Sequence, residues 1–175
     1  MRRILLGTLL TGLLGMALHA QAPAPNPFGP SARSTTSHLT VESRISPEEA
    51  APGAILTVAL DITPRRSIHV YAPGKHDYQV IALTLDAQPW LRLEPTKYPP
   101  SEKYHFAPLN ETVEVYSQPF RLTRAVRVLD TPEARRALAS GTATVTGQLE
   151  YQACDDRVCF APSKVAVRLP VRLTR

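Results

Sequence analysis

Apolar and polar residues alternate along most of the chain, and a period of two is typical of β-strands with one buried face. The alternation is clear over residues 39–45 and 56–62, with a break at Pro52-Gly53 between them. Shorter alternating segments follow at 68–71, 81–85, 91–93, 113–115, 120–122 and 126–128. The two clearest segments are the last, 143–151 and 165–173, and they predict an antiparallel hairpin.

Only one segment has the features of a helix. Thr131 can cap its start, Pro132 suits the first turn, and Gly141 can end it. Many short strands, separated by turn residues and accompanied by at most one short helix, are typical of a β-sandwich. We therefore predict an all-β fold, an antiparallel β-sandwich.

Residues 95–110 interrupt the alternation. This segment, PTKYPPSEKYHFAPLN, contains four prolines and three aromatic residues, Tyr98, Tyr104 and Phe106, without any periodicity. A long irregular loop inside a compact domain is more often functional than accidental. The pattern predicts a functional loop here, with a disordered segment as the alternative.

The N-terminus has the features of a secretory signal. Arg2 and Arg3 precede an apolar run at 4–18 that is too short for a lasting membrane anchor, and small residues follow it. We predict a signal peptide over 1–22, cleaved after Ala20 or Ala22, and therefore export without a remaining anchor. Residues 23–37 are rich in Pro, Ser and Thr and predict a linker, which leaves 38–175 as one domain.

Charge and motifs exclude several classes of function. Loss of Arg2 and Arg3 with the signal would lower the formal net charge from +5 to about +3, and the remaining arginines do not form a stripe that could follow a phosphate backbone. Nucleic-acid binding is therefore not expected. No histidine has a tight ligand spacing to a cysteine or to another histidine, which disfavours a metal site. The histidines that follow the signal are His38, His69, His76 and His105.

The only two cysteines, Cys154 and Cys159, lie in the segment YQACDDRVCFAP at 151–162. This segment joins the last two predicted strands, so the pair lies near the closed end of their hairpin, within reach of a disulfide. A bridge across four intervening residues closes so small a ring that its entropic stabilisation is only about 2 kcal/mol. The residues alone leave three interpretations open: redox exchange, a local structural bridge and metal binding.

This segment resembles the YQ-x-C…C-x-x-P signature of the N-terminal periplasmic domain of the thiol:disulfide interchange protein DsbD. Upstream, SIHVYAPG at 67–74 resembles the aromatic strand ahead of that family's active site, and 98–116 resembles its cap loop and the strand after it. The resemblance covers roughly the whole domain at 38–175, and the cysteine motif is its specific part.

The resemblance implies an immunoglobulin-like sandwich whose cysteine pair passes electrons to periplasmic proteins of the thioredoxin fold, beneath a loop that shields the pair. By position, Cys159 would form the mixed disulfide with a partner and Cys154 would resolve it. Phe106 would be the cap residue, and the pair would have Tyr71, His69 and Tyr151 as neighbours. No cofactor is needed, because the cysteines themselves carry the electrons.

The chain departs from the family pattern in three respects. The cysteine spacing is one residue shorter, His69 stands where an aromatic residue is expected, and the chain ends at Arg175 without an electron channel. A separate membrane donor would then have to supply electrons to what we expect to be a monomer. The alternative is a secreted β-sandwich that binds protein and carries an inert structural disulfide.

Overall fold

The computed structural model describes residues 32–174, so the predicted signal peptide lies outside the described residues. In chain order the elements are β1 (Ala32–Thr35), β2 (Leu39–Ser46), β3 (Glu49–Ala50), β4 (Ile55–Pro64), β5 (His69–Tyr71), β6 (Ala82–Leu85), β7 (Leu91–Lys97), β8 (Glu102–Phe106), β9 (Glu111–Tyr116), β10 (Phe120–Val128), α1 (Pro132–Ala139), β11 (Thr142–Tyr151), β12 (Ala153–Cys154) and β13 (Ser163–Leu173).

The strands form three sheets. The first sheet has the order β1-β2-β4-β10-β7, the second β3-β13-β11-β6, and the third, smaller sheet β12-β5-β9-β8. Among the described strands every pairing is antiparallel except the two-residue contact of β3 with β13. One hydrophobic core joins residues of the first and second sheets, which confirms the predicted all-β sandwich.

The alternation in sequence becomes alternation in burial. In β2 every second side chain from Leu39 to Ile45 is buried, and in β13 the same holds from Val165 to Val171. Fully burying one such aliphatic side chain stabilises a fold by about 1.5–3 kcal/mol, so the strands are held mainly by their inward faces. β11 pairs with β13 along its whole length, from Thr142 to Tyr151, which confirms the predicted hairpin.

The described residues contain one α-helix, α1, which begins where the sequence predicts, and a 3₁₀ turn at Ala107–Leu109. The Thr131 hydroxyl accepts a hydrogen bond from the Ala134 amide at 3.2 Å, and Ala134 is buried in the core. Gly141 follows the helix with a φ of +76°, in the left-handed region that favours glycine after a helix end.

Two predictions about irregular segments need correction, and the cause is the same. Residues 32–35, predicted as linker, form β1 and pair with β2, while residues 102–106 of the predicted long loop form β8 and pair with β9. Both are edge strands with few buried side chains. An edge strand can form with a hydrogen-bonding partner and no buried face, and a strand of that kind shows no apolar alternation in the sequence.

Gly147 provides a test of the sandwich. It lies in β11 between Leu85 of β6 and Val167 of β13, and a Cβ there would lie 2.8 Å from the Leu85 Cα and even closer to the Thr84 carbonyl oxygen. We expect Gly147→Ala to lower the free energy of unfolding by about 1–3 kcal/mol, because backbone atoms cannot move aside without disturbing the strand pairing. Urea unfolding measures this change.

Gly74→Ala is the matched control. The three atoms nearest to a Cβ at Gly74 all belong to the side chain of Glu114, and the closest is a carboxylate oxygen at its flexible end. We expect a change of no more than about 0.5 kcal/mol for this variant. Equal losses of stability in the two variants would contradict the close approach of β6 to β11.

Candidate active site

Cys154 and Cys159 form a disulfide beside the third sheet. The short strand β12 pairs with β5 so that Ala153 lies opposite Val70 and Cys154 opposite His69. The chain then turns back, and Cys159 forms a bridge with Cys154 at a Cα separation of 4.1 Å. The hairpin therefore ends in a disulfide-closed turn, as its position in the sequence predicts.

Asp155 builds this turn. Its Oδ1 accepts hydrogen bonds from the amides of Arg157 and Val158, each at 2.8 Å. These backbone bonds, that from Val158 first, lower the pKa of the Asp155 carboxyl, and the nearby Arg157 adds to the effect. Asp155 is thus an ionised turn residue that holds the loop between the two cysteines in shape.

The two cysteines differ in exposure. Cys154 is 1% exposed, within a cluster that contains Val113 and Val115 of β9, whereas Cys159 is exposed to solvent. Only Cys159 therefore presents itself to another protein.

Tyr71 contacts both sulfurs. Its hydroxyl oxygen lies 3.2 Å from Cys159 Sγ and 3.4 Å from Cys154 Sγ. Since the sulfurs of a disulfide carry no hydrogen, the tyrosine is the donor. Burial, with smaller contributions from Tyr78 and Glu111, raises the pKa of Tyr71 to about 12, so the hydroxyl keeps its proton at physiological pH.

A second tyrosine holds Tyr71 in place. The Tyr78 ring stacks on it with a centroid separation of 4.3 Å and an interplanar angle of 4°. The Tyr78 hydroxyl donates a 2.6 Å hydrogen bond to Glu111 Oε2, and this bond raises the pKa of Tyr78. Sequence reasoning missed both residues, because Tyr78 follows an aperiodic loop and Glu111 lies 33 positions away.

The hairpin of β8 and β9 packs over the Cys154 side of the disulfide. Phe106 and Tyr104 line a crevice together with both cysteines, Tyr71 and His69. The free space in it is about 10 Å³, roughly what one water molecule needs. The structure thus brings Phe106, Tyr71 and His69, all three predicted from the sequence, to the cysteine pair.

His69 lines the crevice and is buried against Tyr104 of β8. Its ring packs on Tyr104 with a centroid separation of 4.3 Å, and it is 5% exposed. Burial lowers the pKa of His69, while the negative charges of Asp155, Asp156 and Glu102 oppose this effect. The imidazole is therefore neutral at neutral pH.

Tyr151, predicted as a neighbour of the pair, lies elsewhere. Its side chain is fully buried in the main core, and its hydroxyl shares a 2.9 Å hydrogen bond with Thr36 Oγ1. His38 packs edge-on against its ring. Through this hydrogen bond Tyr151 links the segment before β2 to the end of β11, and it does not line the crevice.

An open cleft of about 700 Å³ lies on the other side of His69 and Tyr104. Arg65, Arg66 and Asp156 contribute charged side chains to its walls. Within residues 32–174, no three His, Cys, Asp or Glu side chains are grouped as a metal site would require, and no helix is long and apolar enough to cross a membrane.

Comparison with known families gives the decisive match. The family model described as "Thiol:disulfide interchange protein DsbD, N-terminal" matches residues 38–170. This chain belongs to the DsbD N-terminal domain family. A search of curated proteins found no match.

A solved structure shares the DsbD N-terminal fold. The N-terminal periplasmic domain of ScsB from Proteus mirabilis superposes with a TM-score of 0.56 at 10% sequence identity, over 78% of this chain. The match spans 49% of the ScsB chain, so this chain corresponds to about half of that structure. At this identity the likeness concerns the fold alone.

The crevice predicts how the cap limits access to the disulfide. We expect Phe106→Ala to speed reduction of the disulfide by dithiothreitol roughly five- to tenfold, because the large ring that lines the crevice beside both cysteines no longer narrows the approach to the sulfurs. Alkylation of the freed thiols, followed by mass spectrometry, gives the rate. Leu109→Ala is the control, since Leu109 is 59% exposed on the same hairpin, and an equal acceleration there would contradict a specific role for Phe106.

The Tyr71 hydroxyl predicts a shift in reduction potential. A hydrogen bond to a thiolate is about twice as strong as one to a neutral sulfur, so Tyr71 stabilises the reduced pair more than the disulfide. We expect Tyr71→Phe to lower the potential by roughly 20–30 mV, measured by equilibration with glutathione. Tyr78→Phe keeps the stacked ring and the Tyr71 hydroxyl, so a shift as large in this control would show that the Tyr71 contact is not the cause.

Proposed function

We propose that this chain is a periplasmic thiol–disulfide exchange module, which passes electrons between proteins of the thioredoxin fold through Cys154 and Cys159. The observation that carries the proposal is the asymmetry of the pair: one sulfur-bearing residue is exposed and the other is buried beneath a cap. Membership of the DsbD N-terminal family supports the same function. The ScsB domain that shares this fold is periplasmic, which agrees with the predicted export of this chain.

Exchange begins from the reduced pair. The Cys159 thiolate attacks one sulfur of the partner's disulfide, which forms a mixed disulfide and releases the partner's second sulfur as a thiolate. Cys154 then attacks Cys159, so the mixed disulfide breaks and the partner leaves as a dithiol. Two electrons have passed to the partner, and Cys154 and Cys159 are again bridged. A donor dithiol restores the reduced pair by the reverse steps.

The surrounding residues would support these steps in two ways. The protonated Tyr71 hydroxyl, 3.2 Å from Cys159 Sγ in the disulfide, is placed to donate to the thiolate when the bond opens. The cap residue Phe106 would keep small thiols and disulfides from the pair until a partner displaces it. Reaction with the wrong thiol is thereby slowed without any change in the cysteines themselves.

Covalent trapping tests the proposal. Cys154→Ser leaves Cys159 without its resolving partner, so mixing it with an oxidised periplasmic disulfide isomerase of the thioredoxin fold should give a complex that survives denaturing electrophoresis and disappears with dithiothreitol. The matched variant Cys159→Ser keeps only the buried cysteine and should give at least roughly tenfold less complex, because a buried thiol reacts poorly.

The reduction potential separates exchange from a structural bridge. A potential below about −300 mV, together with no trapped complex, would mark the disulfide as structural and support the alternative of a secreted binding module. A clearly higher potential with a complex through Cys159 is the result that the proposal requires.

A further inference from the structure

The geometry around Cys154 points to a role for His69 that neither the family match nor the cysteine motif assigns. In the pairing of β12 with β5, Cys154 and His69 are directly opposite one another. Side chains that are directly opposite in an antiparallel pair lie on the same face, with Cβ atoms about 4.5–5.5 Å apart. Both residues also line the same crevice.

The resolving step of exchange needs a proton acceptor. A thiolate, not a thiol, attacks the mixed disulfide, and a buried thiol in apolar surroundings resists ionisation. Cys154 is 1% exposed and lies among Val113, Val115 and the tyrosine rings, so water has little access to its sulfur. A neighbouring side chain is therefore better placed than bulk solvent to accept the proton of its thiol.

The other titratable side chains of the crevice are unsuited to accept it. Tyr71 already carries its proton, because burial raises its pKa to about 12. The Asp155 carboxylate accepts two backbone hydrogen bonds, which lower its pKa. Glu111 is bound by the Tyr78 hydroxyl at 2.6 Å. Among the described residues that line the crevice, the imidazole of His69 is the remaining acceptor.

We propose that His69 is the base that takes the proton from the Cys154 thiol when Cys154 resolves the mixed disulfide, an inference that rests on the proposed exchange function. In this step the thiol proton moves to an imidazole nitrogen. The Cys154 sulfur forms a bond to Cys159 Sγ, and the bond from Cys159 to the partner breaks. The partner's sulfur leaves with the electron pair, and the imidazolium returns its proton to that thiolate or to solvent.

The surroundings of His69 suit both the neutral imidazole that accepts the proton and the imidazolium that then forms. Burial lowers its pKa, so the ring is neutral and able to accept a proton at neutral pH. Three carboxylates near the ring stabilise the imidazolium once it forms. The titratable and charged residues that face His69 are Asp155 and Asp156 of the turn, Glu102 and Tyr104 of β8, Tyr71 of β5, and Arg65 and Arg66 across the open cleft.

A two-phase assay isolates the resolving step. Reduced protein is mixed with one equivalent of a chromogenic aromatic disulfide, 5,5′-dithiobis(2-nitrobenzoate). Attack by Cys159 releases one coloured thiolate in the first phase, and attack by Cys154 releases the other in the second. Since the leaving aromatic thiolate needs no proton, the second phase reports ionisation of Cys154.

We expect the first phase of His69→Gln to keep a rate within about twofold of the wild-type rate. The second phase should be slowed at least roughly tenfold near neutral pH, which is a modest loss for the removal of a general base. The wild-type second phase should rise with pH through an inflection below 6.5, where His69 loses its proton, and the variant should lack this inflection. His105→Gln is the matched control. His105 is exposed on the β8–β9 hairpin, so its substitution should leave the rates of both phases unchanged.

Chemical rescue separates the loss of a base from a defect in folding. His69→Ala leaves space for a small base, and added imidazole should restore its second phase without changing the first. An unchanged second phase in His69→Gln would overturn the proposal, as would equal slowing of both phases without rescue. A wild-type protein that shows no second phase would instead overturn the exchange function on which the proposal rests.

Discussion

The pairing of β12 with β5 is the interaction on which the site depends. It comprises only two residue pairs, yet it takes the chain out of the long β11–β13 hairpin and into the third sheet immediately before the turn. Cys154 is thereby buried against β9, and the turn that follows carries Cys159 outward. Without this short strand the two cysteines would be equivalent residues in a hairpin loop, and neither would be shielded.

The outer strand of the β8–β9 hairpin is attached to the domain on one side only. β8 is an edge strand that pairs with β9 alone, and its side chains hold the site through ring contacts such as that of Tyr104 with His69. An aromatic pair contributes about 0.5–1.5 kcal/mol beyond the area it buries, much less than the domain core. These ring contacts therefore contribute little to the stability of the sandwich as a whole.

The sequence correctly predicts the strands that bury one face, because burial of every second residue leaves a visible apolar period. Strands such as β2 and β13 bury alternate residues in the core, so their periods are visible, and the cysteine motif is visible because its residues are adjacent in the chain. The edge strands β1 and β8 have few buried side chains and leave no period. The stacking of Tyr78 on Tyr71 depends on a loop conformation that no local pattern specifies.

The structure also shows which groups lie next to the sulfurs, in a turn where the sequence places charges of both signs. Asp155 and Arg157 lie in the same turn, and their effects on a nearby thiolate have opposite signs. The Asp155 carboxylate is bound by the Arg157 and Val158 amides, which spread its charge into the turn backbone. The donor that reaches the sulfurs is the neutral hydroxyl of Tyr71, not a cation. A neutral donor stabilises a thiolate less than a cation would, so the contacts around the sulfurs do not include a strong electrostatic activator of Cys159.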